Sequence, residues 1–417
     1  MTAAPAPIPI ARPLIGEEES DAVARVLRTG WVSQGPEVAA FEVEFAQWVG
    51  ASHACAVSSC TAALHVALVA LGVARDDEVI TASHSFIASA NSIRYTGATP
   101  VFVDVDPVNG NMLPAQVEAA ISQKTKAILV IHQLGMPADL SAILQIGKNY
   151  RVPVVEDAAC AIGSAMLVNG DWQNIGRPHG EIACFSFHPR KVITTGDGGM
   201  LTTNNAELKR RFDLLRQHGM SISDRIRHSS SKVTEESYDI LGYNYRMTDI
   251  QAALGRVQLK RLPSILTERR RQAAFYSELL ASAPGVRLPI EPVWAKSNWQ
   301  TYCVQLTGEI DRKAVMQKLL ENGISTRRGV MCSHREYSYQ KRDWRCPRAT
   351  SALALHCAGC DKTHCEALIN GETIQDRGVA LPLYPGLASG QQREIAEQLI
   401  IAIHEARTGQ LATFVAS

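Results

Sequence analysis

Between residues 53 and 157 the sequence alternates short apolar, β-branched runs with stretches of helical periodicity. Examples are HACAVSS before TAALHVALVALG, and TPVFVDVD before LPAQVEAAIS. Strands that alternate with helices in this way form a mostly parallel sheet with helices on both faces. Two further apolar runs, IACFSFHP and GGMLTTN, lie too close together for a crossover helix, so at least one strand should run antiparallel. The pattern predicts an α/β fold around a large, mixed, mostly parallel sheet.

The pattern changes near residue 248, where we expect a second domain to begin. TDIQAALGRVQLKRL opens with a capping box of Thr248 and Gln251, and Pro263 should end this helix before a second one through LTERRRQAAFYSELLA. The strand and helix patterns that follow are typical of a smaller α+β unit. We therefore predict a large domain at 1–255, preceded by an extended N-terminal arm, and a smaller C-terminal domain at 256–417.

Composition restricts the function classes. The 417 residues carry a formal net charge of +1 and no cluster of Lys and Arg interleaved with aromatics, so we expect no nucleic-acid partner. No apolar segment approaches the roughly 20 residues that span a bilayer, and MTAAPAPIPIARP lacks the pattern of a secretory signal. We expect a cytoplasmic protein that acts on small molecules, with its ten cysteines present as thiols or metal ligands.

Two residues at strand ends suit carbonyl chemistry. Lys191 lies in FSFHPRKVITTGDGG, and a lysine whose pKa is lowered by burial is a nucleophile for carbonyls such as the aldehyde of pyridoxal phosphate (PLP). Asp157 ends VPVVED, at the sheet edge where α/β proteins bind ligands, and its carboxylate could pair with the ring nitrogen of PLP. A solvated loop lysine and an aspartate that caps a helix are the plainer alternatives.

A third element could hold a phosphate. In SSCTAALHVALVALG, a strand runs into an apolar helix, and Ser59, Cys60 and Thr61 would present N–H groups and hydroxyls at its N-terminus. An ordinary capped helix start explains Ser59 and Thr61 equally well.

Several motifs in order are more specific than any one of them. From about RPLIGEEE to about VALPLYP, the chain resembles the DegT/StrS-like family of sugar aminotransferases, which have the aspartate-aminotransferase fold (fold type I). The stretches that carry the resemblance are GWVSQGPEV, SSCTAALHVAL, SHSFIASANSI, GATPVFVDVDP, VIHQLGMPAD, EDAACAIGS, FSFHPRKVITTGDGG and GYNYRMTDIQAALG. The resemblance implies that Lys191 holds PLP as a Schiff base and shuttles protons, while Asp157 pairs with the ring nitrogen.

The resemblance implies further cofactor contacts. Phe86 in SHSFIASAN would stack on the ring face, although a core phenylalanine is the alternative. Cys60, Thr61 and Ser186 would contact the phosphate. Asn244 in GYNYR would reach the phosphate of a neighbouring subunit, which implies a homodimer with shared active sites.

The chain departs from the family pattern at two cysteines. Many members have Gly at the position of Cys60, and Gln or His at the position of Cys160, where the side chain can bond the phenolic oxygen of the cofactor. A thiol is a weak donor, so that contact is lost here or made by water. A subset of the family has His in place of Lys191 and removes a hydroxyl from the sugar, so the lysine favours transamination.

The implied reaction is a ping-pong transamination from glutamate to a keto-sugar, by resemblance a nucleotide-linked keto-deoxysugar. Arg327, Arg328 and His334 in GISTRRGVMCSHRE are candidates for binding its diphosphate. The alternatives are a PLP-dependent sugar dehydratase, a cyclitol-ketone aminotransferase, and a non-catalytic regulatory or scaffold protein with the same fold. Retention of both Lys191 and Asp157 argues against the last of these, because a non-catalytic protein has no chemical need for either.

Residues 333–373 form an insert that is irregular by pattern and rich in cysteine. It contains four cysteines and two neighbouring histidines, a set that can bind tetrahedral zinc: Cys346, Cys357, Cys360, Cys365, His356 and His364. Only one C-x-x-C pair is present, and the chemistry of the family needs no metal. We therefore predict no metal in the active site and favour thiols in a loop over zinc.

Overall fold

The computed structural model describes residues 7–222, 233, 235–340, 343–347, 360–361 and 363–408. Its main feature is a seven-stranded sheet built from His53–Val57 (β1), Glu78–Ala82 (β2), Thr99–Val103 (β3), Thr125–Ile131 (β4), Val154–Asp157 (β5), Ile182–Ser186 (β8) and Gly199–Thr203 (β9). The strand order is β1-β9-β8-β5-β4-β2-β3. All neighbours from β8 to β3 pair in parallel, whereas β9 is antiparallel to both β1 and β8. The predicted mixed, mostly parallel sheet is confirmed.

Both faces of this sheet are buried, which explains the continuous apolar runs in its strands. Along β4, Ile128 and Val130 belong to one core and Ala127 and Leu129 to the other. The layers contain seven helices: Glu17–Thr29 (α1), Pro36–Val49 (α2), Cys60–Ala70 (α3), Ala88–Tyr95 (α4), Pro114–Ala120 (α5), Leu140–Tyr150 (α6) and Ala206–Arg216 (α7).

The C-terminal part has its own antiparallel sheet and core. The strands are Val286–Arg287 (β10), Tyr302–Leu306 (β12), Arg327–Arg328 (β13) and Gly378–Leu381 (β14), in the order β10-β12-β14-β13. Helices Arg312–Glu321 (α9), Ile369–Arg377 (α10) and Ser389–Thr408 (α11) accompany it. A third, three-stranded sheet joins Ala295–Lys296 (β11) to the hairpin of Ala165–Val168 (β6) and Asp171–Asn174 (β7).

One helix, Asp249–Leu280 (α8), connects the two cores. The expected break at Pro263 is wrong, because the helix continues through this exposed residue. Leu262 and Leu266 pack in the core of the large sheet, whereas Ala273 packs in the core of the small one. This change of core lies C-terminal to the domain boundary proposed after residue 255, and that boundary stays a prediction.

The N-terminal arm and the cysteine-rich insert reach across the fold. Ile8 forms a parallel bridge with Ile324, beside the small sheet. In the insert, Arg345 N donates to Pro100 O (2.9 Å) and Phe102 N donates to Arg345 O (3.0 Å), so part of it extends the edge of the large sheet at β3. Elsewhere the insert is less irregular than expected: its described residues include the 3₁₀ turns Ser333–Arg335, Tyr337–Tyr339 and Glu366–Leu368 and the start of α10. No helix among the described residues is long and apolar enough to cross a membrane.

Candidate active site

The last two residues of β5 have side chains on opposite faces of the sheet, as the two-residue period of a strand requires. Glu156 lies fully buried beside His132, with Oε2 3.1 Å from Nε2, and also accepts the backbone N–H groups of His179 and Gly180. Asp157 faces the other way. Glu156 therefore makes structural hydrogen bonds within the protein, whereas the side chain of Asp157 is directed towards the carboxyl edge of the sheet.

Asp157 is held by two donors. Its Oδ2 accepts the hydroxyl of Ser89 at 2.7 Å, and its Oδ1 accepts the N–H of Ala159 at 3.1 Å. Ser89 in turn contacts the hydroxyl of Ser85 at 2.9 Å. These bonds fix the orientation of a carboxylate that is only 6% exposed. The sequence prediction missed Ser89, although its spacing of four from Ser85 in SHSFIASAN was an available signal.

Lys191 lies at the same edge, in the loop between β8 and β9. Its Nζ donates to the Sγ of Cys160 at 3.0 Å. The backbone of Cys160 is held in place by Asn298, whose Nδ2 donates to the carbonyls of Cys160 (2.8 Å) and Ile162 (2.7 Å). The structure therefore brings together the predicted residues Lys191 and Cys160, and places the thiol against the amine.

The pKa of Lys191 is shifted in the direction opposite to the one expected from the sequence. Burial lowers the pKa of Lys191, but the charge and the hydrogen bond of Cys160, with further contributions from Cys60 and Asp157, outweigh burial and raise it. The expected lowering of the lysine pKa is thus wrong for the protein alone. Burial, followed by the charge of Asp157, raises the pKa of Cys60 well above its usual value.

The start of α3 lies beside the same loop. Ser59 is the N-cap and its hydroxyl accepts the N–H of Ala62 at 3.1 Å, while Cys60 and Thr61 are the first two helical residues. Gly199 allows the close approach of β9, because a Cβ there would lie 2.4 Å from the carbonyl oxygen of Ser59. Ser186 pairs in register with Gly199, which brings it to the same place. Four predicted phosphate contacts therefore lie around one helix N-terminus, where backbone N–H groups favour an anion.

Phe86 and Asn244 are both exposed, with Phe86 58% exposed. The carbonyl of Phe86 accepts the N–H of Ser89, so Phe86 lies directly before the helix α4 whose Ser89 orients Asp157. Next to Asn244, the carbonyl of Tyr245 accepts the N–H of Ser58, which immediately precedes the cap of α3. Stacking by Phe86 and the contact of Asn244 with a second subunit stay predictions.

A shallow pocket next to Lys191 is lined by residues that the sequence prediction did not include. The arm contributes Arg12 and the end of the small sheet contributes Tyr384. Arg269 of α8 also lines it and donates to the backbone carbonyls of Trp299 and Gln300. Basic residues in a Pro-rich arm were visible in the sequence, but their proximity to Lys191 depends on the path of the chain in three dimensions.

The three residues predicted to bind a diphosphate have different surroundings. Arg327 and Arg328 are exposed on β13, and Arg328 pairs with Glu336 at 3.0 Å. His334 is 1% exposed, with Nδ1 2.6 Å from Ser83 Oγ and Nε2 2.9 Å from Glu372 Oε1. Because both ring nitrogens are bonded within the protein, the proposed substrate role of His334 is replaced by a structural one.

The residues at this edge fit pyridoxal phosphate by their chemistry. A primary amine can bond an aldehyde, a buried carboxylate with fixed orientation can face a protonated ring nitrogen, and a helix N-terminus with hydroxyls can hold a phosphate. Lys191, Asp157 and the start of α3 supply these three groups from three separate elements.

The chain is similar to proteins of one family. The model of the DegT/DnrJ/EryC1/StrS aminotransferase family matches residues 13–400. The aminotransferase TlmJ from Streptoalloteichus hindustanus has 30% identity and a TM-score of 0.82 over 95% of this chain and 99% of its own. PseC, an aminotransferase of pseudoaminic acid biosynthesis from Helicobacter pylori, has 25% identity and a TM-score of 0.82 over 96% and 100%. Spr1654 from Streptococcus pneumoniae, in its PLP form, has 25% identity and a TM-score of 0.84 over 96% and 99%. The chain belongs to the DegT/DnrJ/EryC1/StrS aminotransferase family, and it is a PLP-dependent aminotransferase of fold type I.

Proposed function

We propose that this aminotransferase moves an amino group from glutamate to the ketone of a nucleotide-linked keto-deoxysugar by a ping-pong mechanism, as a homodimer. When bound, PLP supplies an electron-accepting ring that stabilises negative charge on the substrate carbon. The observation that carries the proposal is the arrangement of Lys191, Cys160 and the separately held Asp157 at one sheet edge.

In this proposal each residue has a distinct task. Lys191 would hold the cofactor through its aldehyde group, and its amine would carry a proton to and from the substrate carbon. Asp157 keeps the ring nitrogen protonated, and its two donors hold it in place. The helix N-terminus at Cys60 and Thr61 and the hydroxyl of Ser186 orient the phosphate.

Glutamate as the donor is supported by charge. Arg12 and Arg190 line the pocket beside Lys191, and two guanidinium groups suit a dicarboxylate. For the acceptor, the exposed guanidinium of Arg327 on β13 remains a candidate for the diphosphate. The sugar class is further supported by similarity to PseC, whose reaction belongs to pseudoaminic acid biosynthesis.

The test separates the two half-reactions. PLP-loaded protein is given glutamate alone, and 2-oxoglutarate is measured; then a panel of nucleotide-linked 3-keto and 4-keto sugars is added. We expect 2-oxoglutarate in an amount that matches the sites without acceptor, and continuous turnover with one class of sugar. Absence of 2-oxoglutarate from loaded protein would contradict the proposal. Sugar dehydration without consumption of glutamate would favour the dehydratase alternative.

Neighbouring acids provide a matched pair of variants. Asp157→Asn keeps the shape but removes the charge, and we expect its rate to fall by roughly 10²-fold or more. Glu156→Gln disturbs the buried pair with His132 on the other face, so it should lower stability while leaving the rate per folded, loaded molecule unchanged. Equal losses of rate in both variants would contradict the assignment of Asp157.

A further inference from the structure

Three buried cysteines of the insert form a cluster that the aminotransferase chemistry does not use. In this thiol cluster, the ligand atoms of Cys346, Cys360 and Cys365 all lie within 4.8 Å of one another. Cys346 and Cys365 are fully buried, and their sulfurs lie 3.8 Å apart. The sulfurs of Cys360 and Cys365 lie 2.7 Å apart. The fourth cysteine of the sequence motif, Cys357, lies outside the described residues.

The separation of Cys346 and Cys365 fits a shared metal, whereas the sulfurs of Cys360 and Cys365 would have to move apart by about 1 Å to bind the same ion. Two thiolates on a tetrahedral Zn²⁺, each about 2.3 Å from the metal, are about 3.8 Å apart. Cys346 and Cys365 already have this separation. Three sulfurs that converge on one point give a set of soft ligands, which Zn²⁺ prefers, and one coordination position remains for a further ligand.

The backbone around the cluster is held from separate directions. Cys346 follows Arg345, which pairs with the edge strand β3 and whose Nη1 lies 3.2 Å from Glu78. Cys365 N donates to Glu372 Oε1 at 2.7 Å. The other oxygen of Glu372 lies 2.6 Å from His364 Nδ1. Supporting bonds of this kind orient ligands in structural metal sites.

We propose that Cys346, Cys360 and Cys365 bind one structural Zn²⁺ that fixes the insert to the β3 edge of the large sheet. The location of the thiol cluster indicates a structural role for the metal. Trp344, Phe102 and Tyr339 belong with the cysteines to a small buried core that is separate from the core of the small sheet. A metal there would cross-link the segments of the insert that contain Cys346, Cys360 and Cys365. The site is independent of the proposed substrate.

The test uses the full chain produced with zinc and purified under reductant, and its metal content is measured by inductively coupled plasma mass spectrometry. We expect about one Zn²⁺ per chain, in keeping with a single site. Cys346→Ser and Cys365→Ser should lose it, while Cys303→Ser, in β12 of the small sheet, should retain it. Zinc-free wild type, or variants of the cluster that keep their zinc, would overturn the proposal.

A second measurement covers variants that fail to fold. Wild-type protein is treated with a thiol-modifying reagent, and the release of zinc is followed with a chromogenic chelator. Zinc should leave in step with the cysteines that react, and the melting temperature should fall. Retention of zinc after all thiols have reacted, or an intact mass lower by two hydrogens in zinc-free protein, would contradict the site, because the latter indicates a disulfide.

Discussion

At the scale of single residues, the thiol of Cys160 affects the protonation state of the Lys191 amine. An amine attacks an aldehyde only when it is neutral, and the contact with Cys160 favours its ammonium form. Cofactor loading should therefore speed up as pH rises towards the lysine pKa. The thiol of Cys160 therefore affects the charge of the Lys191 amine.

We predict that Cys160→Ala lowers the pKa of Lys191, because it removes the group that raises it most. The rate of PLP loading, followed by visible absorbance across a pH series, should reach its midpoint at lower pH than in the wild type. Cys303→Ala, whose thiol makes no contact with Lys191, serves as the control. A midpoint that stays in place or moves to higher pH in Cys160→Ala would refute this role.

Sequence reasoning reached Asp157 and Lys191 but could not assign the surroundings of either. The chemistry of PLP calls for a carboxylate at a strand end, and β5 ends in two acids. Because strand side chains alternate between the two faces of the sheet, Glu156 and Asp157 point in opposite directions. The hydroxyl that donates to Asp157 belongs to Ser89, 68 positions away in the chain. The raised pKa of Lys191 depends on a thiol 31 positions away. Contacts between residues this far apart leave no local pattern in the sequence. The acid and the lysine could therefore be predicted from the sequence, but the groups that surround them could not.

At the scale of elements, α8 shows how packing overrides local propensity. A proline inside a helix costs about 3 kcal/mol through a lost hydrogen bond and a steric clash. Leu259, Leu262, Ile265 and Leu266 all bury their side chains in the large core, and each contributes roughly 1.5–3 kcal/mol. The expected break at Pro263 was wrong because four buried residues outweigh one unfavourable one. The strands of the large sheet were predicted correctly because each is a short apolar run that alternates with a helical pattern.

We predict that Pro263→Ala stabilises the protein by about 1–3 kcal/mol, since the position is exposed and already helical. Urea unfolding measures this free energy. Ser264→Ala, at the next exposed position, should change it by less than about 0.5 kcal/mol. A less stable Pro263→Ala would mean that the proline relieves strain in α8.

At the scale of the whole molecule, exposed Asn244 makes the dimer testable. Lys191→Ala and Asn244→Ala subunits are each expected to be impaired, the second in holding PLP at limiting concentration. If sites are shared, a mixed dimer contains one site with both residues intact. Random exchange of subunits should then restore about a quarter of the wild-type sites, because half of the dimers are mixed and each has one good site.

Activity of the exchanged mixture is compared with the two variants measured separately at the same concentrations, and light scattering verifies the dimer. A mixture no more active than the sum of its parts would place Asn244 and Lys191 in the same subunit's site.

The insert illustrates why contacts between distant parts of the chain were harder to predict than strands. Its pairing with β3 joins residues more than 240 positions apart, and no local pattern encodes such a partner.

The unbroken course of α8 through both cores limits how the enzyme can move. A rotation of the small sheet against the large one would have to bend a continuous helix between Leu266 and Ala273, where its hydrogen-bonded turns resist flexing. The arm at Arg12 lines the pocket beside Lys191, so shortening the arm should change the rate of product release.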